Sequence, residues 1–173
     1  MSHTPNSGPP DPAVISFVPS DTLIEEAAAA FANHEARIHD ALPTVEIRHV
    51  GGTSLPGLLT AGDVDVQVRV ETDAFDDARN TLSGLYAPIH KDMWSSEGAF
   101  FSAPESSPPV EVALTTIGGA FDLHHGEAWR LLRADDRLIE RYNELKRECA
   151  GRSADEYRAA KRAFFYELLG RRP

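Results

Sequence analysis

Residues 50–66 read Val-Gly-Gly-Thr-Ser-Leu-Pro-Gly-Leu-Leu-Thr-Ala-Gly-Asp-Val-Asp-Val. A double glycine, Gly51-Gly52, follows an apolar residue, and ten residues separate it from the carboxylates Asp63 and Asp65. Glycine permits positive φ angles and a close approach of the backbone to a ligand. The segment therefore places a turn that can approach phosphate just before two carboxylates that can hold a metal.

The two carboxylates lie on a predicted β-strand, because residues 63–70 alternate polar and apolar side chains without a break. This alternation is typical of a strand with one buried face. Asp63 and Asp65 are therefore expected to point the same way and to share a hard cation such as Mg²⁺, which prefers oxygen ligands. Gln67 and Arg69 are predicted on the same face. The alternative interpretation is a sheet whose polar face simply meets water.

The glycine turn is predicted to connect a strand to a helix. Residues 46–50 favour a short strand, and Ser54 and Pro56 suit the N-cap and first turn of a helix. A helix N-terminus presents free N–H groups and is a ready anion site. An ordinary turn that needs glycine for its geometry alone is the alternative. In the first interpretation, phosphate is bound by four residues: Gly51, Gly52, Thr53 and Ser54.

A third carboxylate lies further along the chain. Residues 110–114 predict another apolar strand, with Glu111 between two valines. On a strand next to Asp63 and Asp65, Glu111 would complete a site for two metal ions or act as a base. The alternative is one more solvent-facing Glu on an alternating strand.

These features together resemble the DNA polymerase β-like nucleotidyltransferase superfamily. Within it, His49-Val-Gly-Gly-Thr-Ser-Leu-Pro-Gly57 is similar to the signature of the GrpB-like family. Arg141-Tyr-Asn-Glu-Leu-Lys146 and Tyr157-Arg-Ala-Ala-Lys-Arg-Ala-Phe164 resemble the C-terminal helices of that family. The resemblance spans roughly residues 45–169 and implies a mixed-sheet nucleotidyltransferase fold.

The resemblance also implies site residues beyond the carboxylates and the glycine turn. It makes Arg158 and Lys161 candidate contacts to triphosphate or acceptor. Many members of the family place Lys-Pro and an apolar residue before a single Asp, where this chain has Ala61-Gly62-Asp63. The chain thus gains a second carboxylate and lacks one phosphate-binding lysine, and Glu111 is longer than the more usual Asp.

Composition and element order predict the organisation of the chain. Residues 1–12 are rich in Pro, Ser and Gly and are predicted to be disordered. Residues 13–173 are predicted to form one domain, with a core at about 20–120 and C-terminal helices at about 121–170. The expected class is α+β: a small mixed sheet of nucleotidyltransferase type, with flanking helices and a C-terminal helical layer. The predicted strands are 45–50, 63–70, 86–91, 99–102 and 110–117, and the predicted helices are 24–42, 73–83, 135–150 and 153–169, with further helix after Gly118-Gly119.

Charge and cysteine content limit location and partners. The formal net charge of −10 argues against extended nucleic acid as a partner, since such binding rests on clustered Lys and Arg. The single cysteine, Cys149, excludes an internal disulfide and suits a reducing compartment. No signal peptide or apolar run of membrane-spanning length is evident. A cytoplasmic protein with no membrane partner is therefore expected, and its oligomeric state is not predicted.

Four aromatic and histidine side chains near these motifs have weaker predictions. His49 precedes the glycine turn and is expected either to orient it or to pack in the core. Trp94 is expected either to stack on a base or to belong to the core. His124 and His125 are predicted to be surface or packing residues, because no Cys or His lies nearby at the spacing of a zinc site.

The leading functional hypothesis is an enzyme that transfers a nucleotidyl group from a nucleoside triphosphate (NTP) to a small acceptor, using Mg²⁺ or Mn²⁺. Asp63, Asp65 and Glu111 are its predicted catalytic and metal-binding residues. Arg69 is a further predicted nucleotide-binding residue, expected either to contact phosphate or to neutralise the Asp pair. An aminoglycoside-type molecule and a protein hydroxyl are both open as acceptors. The alternative is a non-catalytic nucleotide- or phosphate-binding module with a protein partner. A third possibility is an interaction protein whose alternating strands merely face water.

Overall fold

The protein is described by a computed structural model that covers residues 14–170, so the predicted disordered tail 1–12 lies outside the described residues. Its helices are α1 (Ile24–Ala41), α2 (Phe75–Leu85), α3 (Ala120–Ala134), α4 (Asp136–Cys149) and α5 (Ala154–Leu168). Its strands are β1 (Val18–Pro19), β2 (Glu46–Val50), β3 (Leu59–Thr60), β4 (Val64–Val70), β5 (Ala87–Ile89), β6 (Gly98–Ala103) and β7 (Val110–Thr116). The predicted α+β class is confirmed.

Five of these strands form one mixed sheet in the order β2-β4-β7-β6-β5. Its central strands β4 and β7 run parallel, and every other neighbouring pair is antiparallel. In the parallel pair Asp65 lies opposite Glu111, and on the other side of β4 Asp65 lies opposite Val50. The register thus places the carboxylates of two strands side by side, next to the end of β2 where the glycine turn begins.

One face of the sheet carries the main hydrophobic core. The valines of β4 and β7 alternate towards helices α1 and α2, as the two-residue period predicts. Helix α1 contributes Ala27, Ala30 and Ile38 to this core, and α2 contributes Phe75, Ala78 and Leu82. Burial of each large side chain stabilises the fold by about 1.5–3 kcal/mol.

The opposite, polar face of the sheet is also covered, which corrects the interpretation of a sheet facing water. Gln67, Thr115 and Asp122 are all buried there, where α3 packs over β4 and β7. Helices α3, α4 and α5 form a second apolar cluster with the end of β2 and the segment after it, built from Val50, Leu55, Leu58, Ala128, Trp129, Leu132, Tyr142, Phe164 and Phe165. The predicted C-terminal helical layer is therefore present and lies over the polar face.

The segment after the glycine turn is the main local correction. In place of the predicted helix, Gly52–Ser54 forms a single 3-10 turn and Leu55 is extended. The residue before a proline is sterically disfavoured in the helical region, and Leu55 precedes Pro56. Ser20 instead fastens this segment, since its Oγ donates to the Leu55 carbonyl at 2.9 Å. The turn therefore offers no helix N-terminus for an anion.

The end of α2 differs from its prediction, whereas the start of α5 agrees with its sequence pattern. The helix predicted over 73–83 begins at Phe75 and continues through Gly84 to Leu85, and the Tyr86 N–H donates to the Leu82 carbonyl at 2.9 Å. Ser153 and Glu156 form the reciprocal capping box that starts α5, as their spacing predicts. In the described residues, no helix is both long and apolar enough to cross a membrane.

Candidate metal centre

Three carboxylates converge at the start of β4 and β7. Asp65 and Glu111 are paired in register across these parallel strands, and Asp63 immediately precedes β4. One oxygen from each of Asp63, Asp65 and Glu111 lies within 4.8 Å of the others. Within residues 14–170, no other group of three His, Cys, Asp or Glu side chains converges in this way. The sequence-predicted trio therefore forms one cluster with the spacing of metal ligands.

The cluster is electrostatically strained without a cation. Burial, followed by the neighbouring Asp63, raises the pKa of Asp65 well above its ordinary range, although Lys161 opposes the shift. Burial and then Asp63 also raise the pKa of Glu111. Among the described residues, none of these three side-chain carboxylates accepts a hydrogen bond or forms an ion pair. Hard oxygen ligands with uncompensated charge fit a divalent cation such as Mg²⁺.

Gly51 makes room for this cluster. It has a φ of +78°, and a Cβ at its position would lie 1.7 Å from Oδ2 of Asp65 and 2.5 Å from Cγ. Only glycine combines this φ with that contact at low cost. Gly51 thus positions the Asp65 carboxylate, a role that its phosphate interpretation did not include.

The hydroxyls of the glycine turn are engaged by the protein itself. Thr53 Oγ1 donates to the Asp63 carbonyl at 3.1 Å and lies 3.1 Å from His49 Nε2. Ser54 Oγ donates to the Gly51 carbonyl at 2.8 Å, so it acts within the turn and not as a helix cap. Because both hydroxyl hydrogens are used, neither hydroxyl is available as a phosphate donor in this conformation. His49 orients the turn, as one of its two interpretations predicts.

Gly52 is constrained by packing. Its φ is not in the left-handed region, but an added Cβ would lie 2.9 Å from Thr60 Oγ1 and 3.0 Å from Thr60 Cβ. The side chain of Thr60 belongs to β3, which lies beside the turn. A glycine is therefore needed here for close approach of two chain segments.

Helix α5 brings positive charge towards the carboxylates. Desolvation lowers the pKa of Lys161, but Tyr157 and then the carboxylates Asp65, Asp63 and Glu111 outweigh it and raise that pKa. Arg158 is exposed, pairs with Asp155 at 2.5 Å, and contributes to the field at Glu111. Both residues implied by the resemblance thus contribute positive charge at the cluster, and neither forms an ion pair with it.

Arg69 is not brought to the cluster. It lies four residues beyond Asp65 on β4, or about 13 Å along a strand. Its guanidinium forms two bonds with Asp122, at 2.6 and 2.7 Å, and also pairs with Glu46. The hydrogen bond and charge of Arg69 hold the pKa of Asp122 below its usual range, even though burial opposes this. We therefore leave Arg69 out of the candidate site.

Helix α4 supplies two site-adjacent residues that the sequence analysis missed. Asn143 accepts from the Leu59 N–H and donates to the Gly57 carbonyl, both at 2.8 Å. Lys146 is buried, donates to the Leu59 carbonyl, and lies 4.2 Å above the ring of Tyr142. Burial and Lys161 lower the pKa of Lys146 to about 7, against the raising effect of Asp63 and Asp65. Both side chains lie in the family-like motif, which was the one signal for them.

His90 is a third missed residue. It is the one non-glycine residue of the described chain with a positive φ, at 48°, a conformation that His tolerates better than most side chains. Its charge acts on Glu111, whose pKa it lowers. No pattern in the sequence indicates this proximity, because it depends on the pairing of β5, β6 and β7.

The remaining aromatic and histidine predictions resolve as follows. Trp94 packs against Phe101 with ring centroids 5.2 Å apart, and its Nε1 donates to the Ile89 carbonyl at 2.9 Å. It belongs to the main core and not to the candidate site. His125 bonds the Phe121 carbonyl at 2.9 Å through Nδ1, and neither His124 nor His125 joins a metal-type cluster among the described residues.

Replacing Asn143 with Ala is expected to lower the free energy of unfolding by about 2–4 kcal/mol. The change removes two hydrogen bonds and leaves the part-buried Leu59 N–H and Gly57 carbonyl without their partner, at about 1–3 kcal/mol each. Urea denaturation measures the effect. The matched control is Asn80→Ala on the exposed face of α2, which should change stability by less than about 0.5 kcal/mol. Equal losses in the two variants would contradict a fastening role for Asn143.

Comparisons with known proteins complete the description. A model of the GrpB protein family matches residues 22–171. A UPF0157 protein of Vibrio cholerae is 30% identical over 156 residues, which cover 90% of this chain and 82% of that protein. The crystal structure of the conserved protein GrpB from Enterococcus faecalis aligns with a TM-score of 0.63 at 18% identity, over 83% of this chain and 94% of that chain.

A more distant solved structure is that of Cid1, described for its RNA terminal uridylyl transferase activity. It aligns with a TM-score of 0.49 at 14% identity, over 77% of this chain and 41% of that chain. Similarity at this level establishes neither a shared activity nor a shared substrate.

Proposed function

The chain belongs to the GrpB family, and on that basis we propose that it is a nucleotidyltransferase that works with a divalent cation, Mg²⁺ or Mn²⁺. It transfers a nucleotidyl group from an NTP to a small acceptor. The observation that carries the proposal is the convergence of three carboxylate oxygens within 4.8 Å on adjacent strands. Mg²⁺ in such sites is bound by one or two carboxylates together with the phosphates of the substrate.

The proposed roles follow from the charges around the cluster. Asp63 and Asp65 hold the cation, and Glu111 either completes the site or accepts a proton. When bound, the cation neutralises charge on the triphosphate and on the transition state. Lys161 and Arg158 add positive charge on the side of α5, where phosphate oxygens approach. Catalysis of this kind rests on positioning and on preorganised electrostatics.

The reaction balances without a further reagent. An acceptor oxygen forms a bond to the α-phosphorus of the NTP, and the bond from that phosphorus to the α–β bridging oxygen breaks. Pyrophosphate leaves with the electron pair, and the acceptor proton passes to Glu111 and then to solvent. Burial, and then Asp63, raises the pKa of Glu111 and so makes its carboxylate a better base.

The test is isothermal titration calorimetry with ATP as the probe nucleotide, in Mg²⁺, in Mn²⁺ and in EDTA. ATP should bind the wild type with either metal, and both EDTA and the change Asp63→Asn with Asp65→Asn should abolish binding. The control is Asp40→Asn with Asp77→Asn, two exposed helix residues with the same total charge change. ATP binding of equal strength in EDTA and in Mg²⁺ would refute the proposed metal site.

A non-catalytic nucleotide-binding module is the second candidate. It is favoured by the engaged hydroxyls of Thr53 and Ser54 and by Ala61-Gly62 in place of a lysine. Release of pyrophosphate from the NTP in the presence of a panel of hydroxyl-bearing acceptors decides between the nucleotidyltransferase and the binding module. Metal-dependent ATP binding without pyrophosphate release from any NTP would favour the binding module with a protein partner.

A further inference from the structure

A cavity of about 310 Å³ lies between α3 and the polar face of the sheet. This volume is at the lower end of the range of small-molecule pockets, about 300–1,000 Å³. The residues that line the cavity are Arg48, His49, Val50, Gln67, His125, Gly126, Trp129 and Arg133. Two arginines and no acidic side chain line it, although the chain as a whole carries a net charge of −10.

Gln67 lines this cavity, and its Oε1 is buried and has no hydrogen-bond partner among the described residues. Gln67 is 1% exposed, and its Nε2 donates to Thr115 and to the carboxylate of Asp122, both at 3.1 Å. The amide cannot be turned around, because its oxygen would then face the carboxylate oxygen of Asp122. A buried acceptor without a donor is costly, and a ligand that donates to it removes that cost.

Gly126 gives a second, independent indication. It lies in the middle of α3, it is not in a left-handed conformation, and a Cβ at its position would meet no atom within 4 Å. Neither backbone geometry nor packing therefore requires glycine there, and glycine is unfavourable inside a helix. Gly126 lines both this cavity and an adjoining one of about 670 Å³, so any larger residue would project into the space that they share.

The two histidines of the wall present acceptors. The Phe121 carbonyl accepts from Nδ1–H of His125, which leaves Nε2 of the neutral ring as an acceptor. Thr53 donates its hydroxyl hydrogen to the backbone carbonyl of Asp63, so its oxygen accepts from Nε2–H of His49, and Nδ1 of that ring is an acceptor too. Arg133 is exposed and forms no ion pair within the described part of the chain, whereas Arg48 pairs with Glu46 at 2.5 Å.

We propose that this cavity binds a small organic anion that also carries hydroxyl or amino donors. The anionic group, phosphate or carboxylate, pairs with Arg133 and Arg48, for which guanidinium geometry is well suited. A hydroxyl or amino group donates to Gln67 Oε1 in the interior. The site is separate from the carboxylate cluster and requires neither a metal nor an NTP.

The experiment uses the fluorescence of Trp129, one of two tryptophans in the chain. In a Trp94→Phe variant Trp129 is the remaining tryptophan. Calorimetry on the wild type measures the same ligand binding without that substitution. The probes are D-ribose 5-phosphate, whose anionic group is a phosphate, and D-ribonate, whose anionic group is a carboxylate. Ribose and inorganic phosphate are the controls, since each carries half of the required chemistry. All titrations are performed in EDTA, so the result is independent of the proposed nucleotidyl transfer.

At least one of the two hydroxylated anions should bind saturably, at least tenfold more tightly than ribose or inorganic phosphate. Gly126→Leu should abolish that binding, whereas Gly126→Ala should keep it and melt at a higher temperature than the wild type. Arg133→Gln should weaken binding at least tenfold, and the control Arg79→Gln, on α2 at the opposite face of the sheet, should not change it. Absence of saturable binding by both anions up to millimolar concentration, or unchanged binding by Gly126→Leu, would overturn the proposal.

Discussion

Replacing Gly51 with Ala is expected to destabilise the protein by about 2–5 kcal/mol and to weaken metal binding by about 10–100-fold. The stability loss has two sources. Alanine at a φ of +78° is strained, and its methyl group would lie 1.7 Å from Oδ2 and 2.8 Å from Cβ of Asp65. The side chain of Asp65 must move away from residue 51 to relieve the contact, so the geometry of the cluster is lost together with stability.

Gly57→Ala is the matched control for this prediction. Gly57 has nearly the same φ, +79°, but an added Cβ there would meet nothing within 4 Å. It should therefore show only the backbone strain, about 1–2 kcal/mol, with metal affinity unchanged. Urea denaturation and Mn²⁺ titration measure the two quantities. Equal effects of the two changes on both quantities would mean that contact with Asp65 has no role.

A double-mutant cycle isolates the contact itself. Asp65→Ala removes Oδ2 and Cγ, the two closest atoms, so Gly51→Ala should cost at least about 1 kcal/mol less in that background. An additive result would contradict a direct contact between Gly51 and Asp65.

The carboxylate cluster was predictable because it depends on local periodicity. The period of two in residues 63–70 places Asp63 and Asp65 on one face whatever the rest of the fold. The prediction for Glu111 required one further condition, namely that its strand pairs with β4. The parallel pairing of β4 and β7 meets this condition, because it places Glu111 opposite Asp65. The GrpB-like motif at residues 49–57 correctly predicted the family.

Arg69 shows where the same reasoning fails. Alternation assigns a residue to a face but not to a place along the strand or to a partner. Arg69 lies on the predicted side of β4, and Asp122, 53 positions later in the chain, binds it there. No local pattern connects the two, because the pairing exists only once α3 has packed over the sheet.

The predictions for the glycine turn and for α4 are incomplete for related reasons. The sequence indicated a glycine requirement at residues 51–52 but not its cause, which is contact with Asp65 and Thr60. In the sequence, Asn143 and Lys146 have the spacing of ordinary polar residues of an amphipathic helix. They become buried only when α4 reaches back to the 57–59 segment, 84 to 87 positions earlier in the chain.

Asp65→Asn is expected to be more stable than the wild type without metal and less stable than the wild type with metal. In EDTA at neutral pH the variant should melt above the wild type, because burial and Asp63 make the ionised form of Asp65 unfavourable in the folded protein. Asparagine has nearly the same shape and carries no charge, so it fits beside Gly51 without that cost. With Mn²⁺ at a hundred times its Kd, the wild type should gain about 2.7 kcal/mol, or about 5–10 °C, whereas the variant should gain little.

The pH dependence of this difference tests its electrostatic origin. A carboxyl group whose pKa is raised on folding binds more protons in the folded state, so its contribution to stability is lost as pH rises above its unfolded value of about 3.9. In EDTA the melting temperature of Asp65→Asn minus that of the wild type should therefore be small near pH 4 and should grow towards pH 8. The control is Asp40→Asn, an exposed residue near the end of α1 with the same charge change, which should show no such trend. If Asp65→Asn instead melts below the wild type in EDTA throughout this range, Asp65 stabilises the fold, and the strain that we assign to the cluster as the basis of metal binding does not exist.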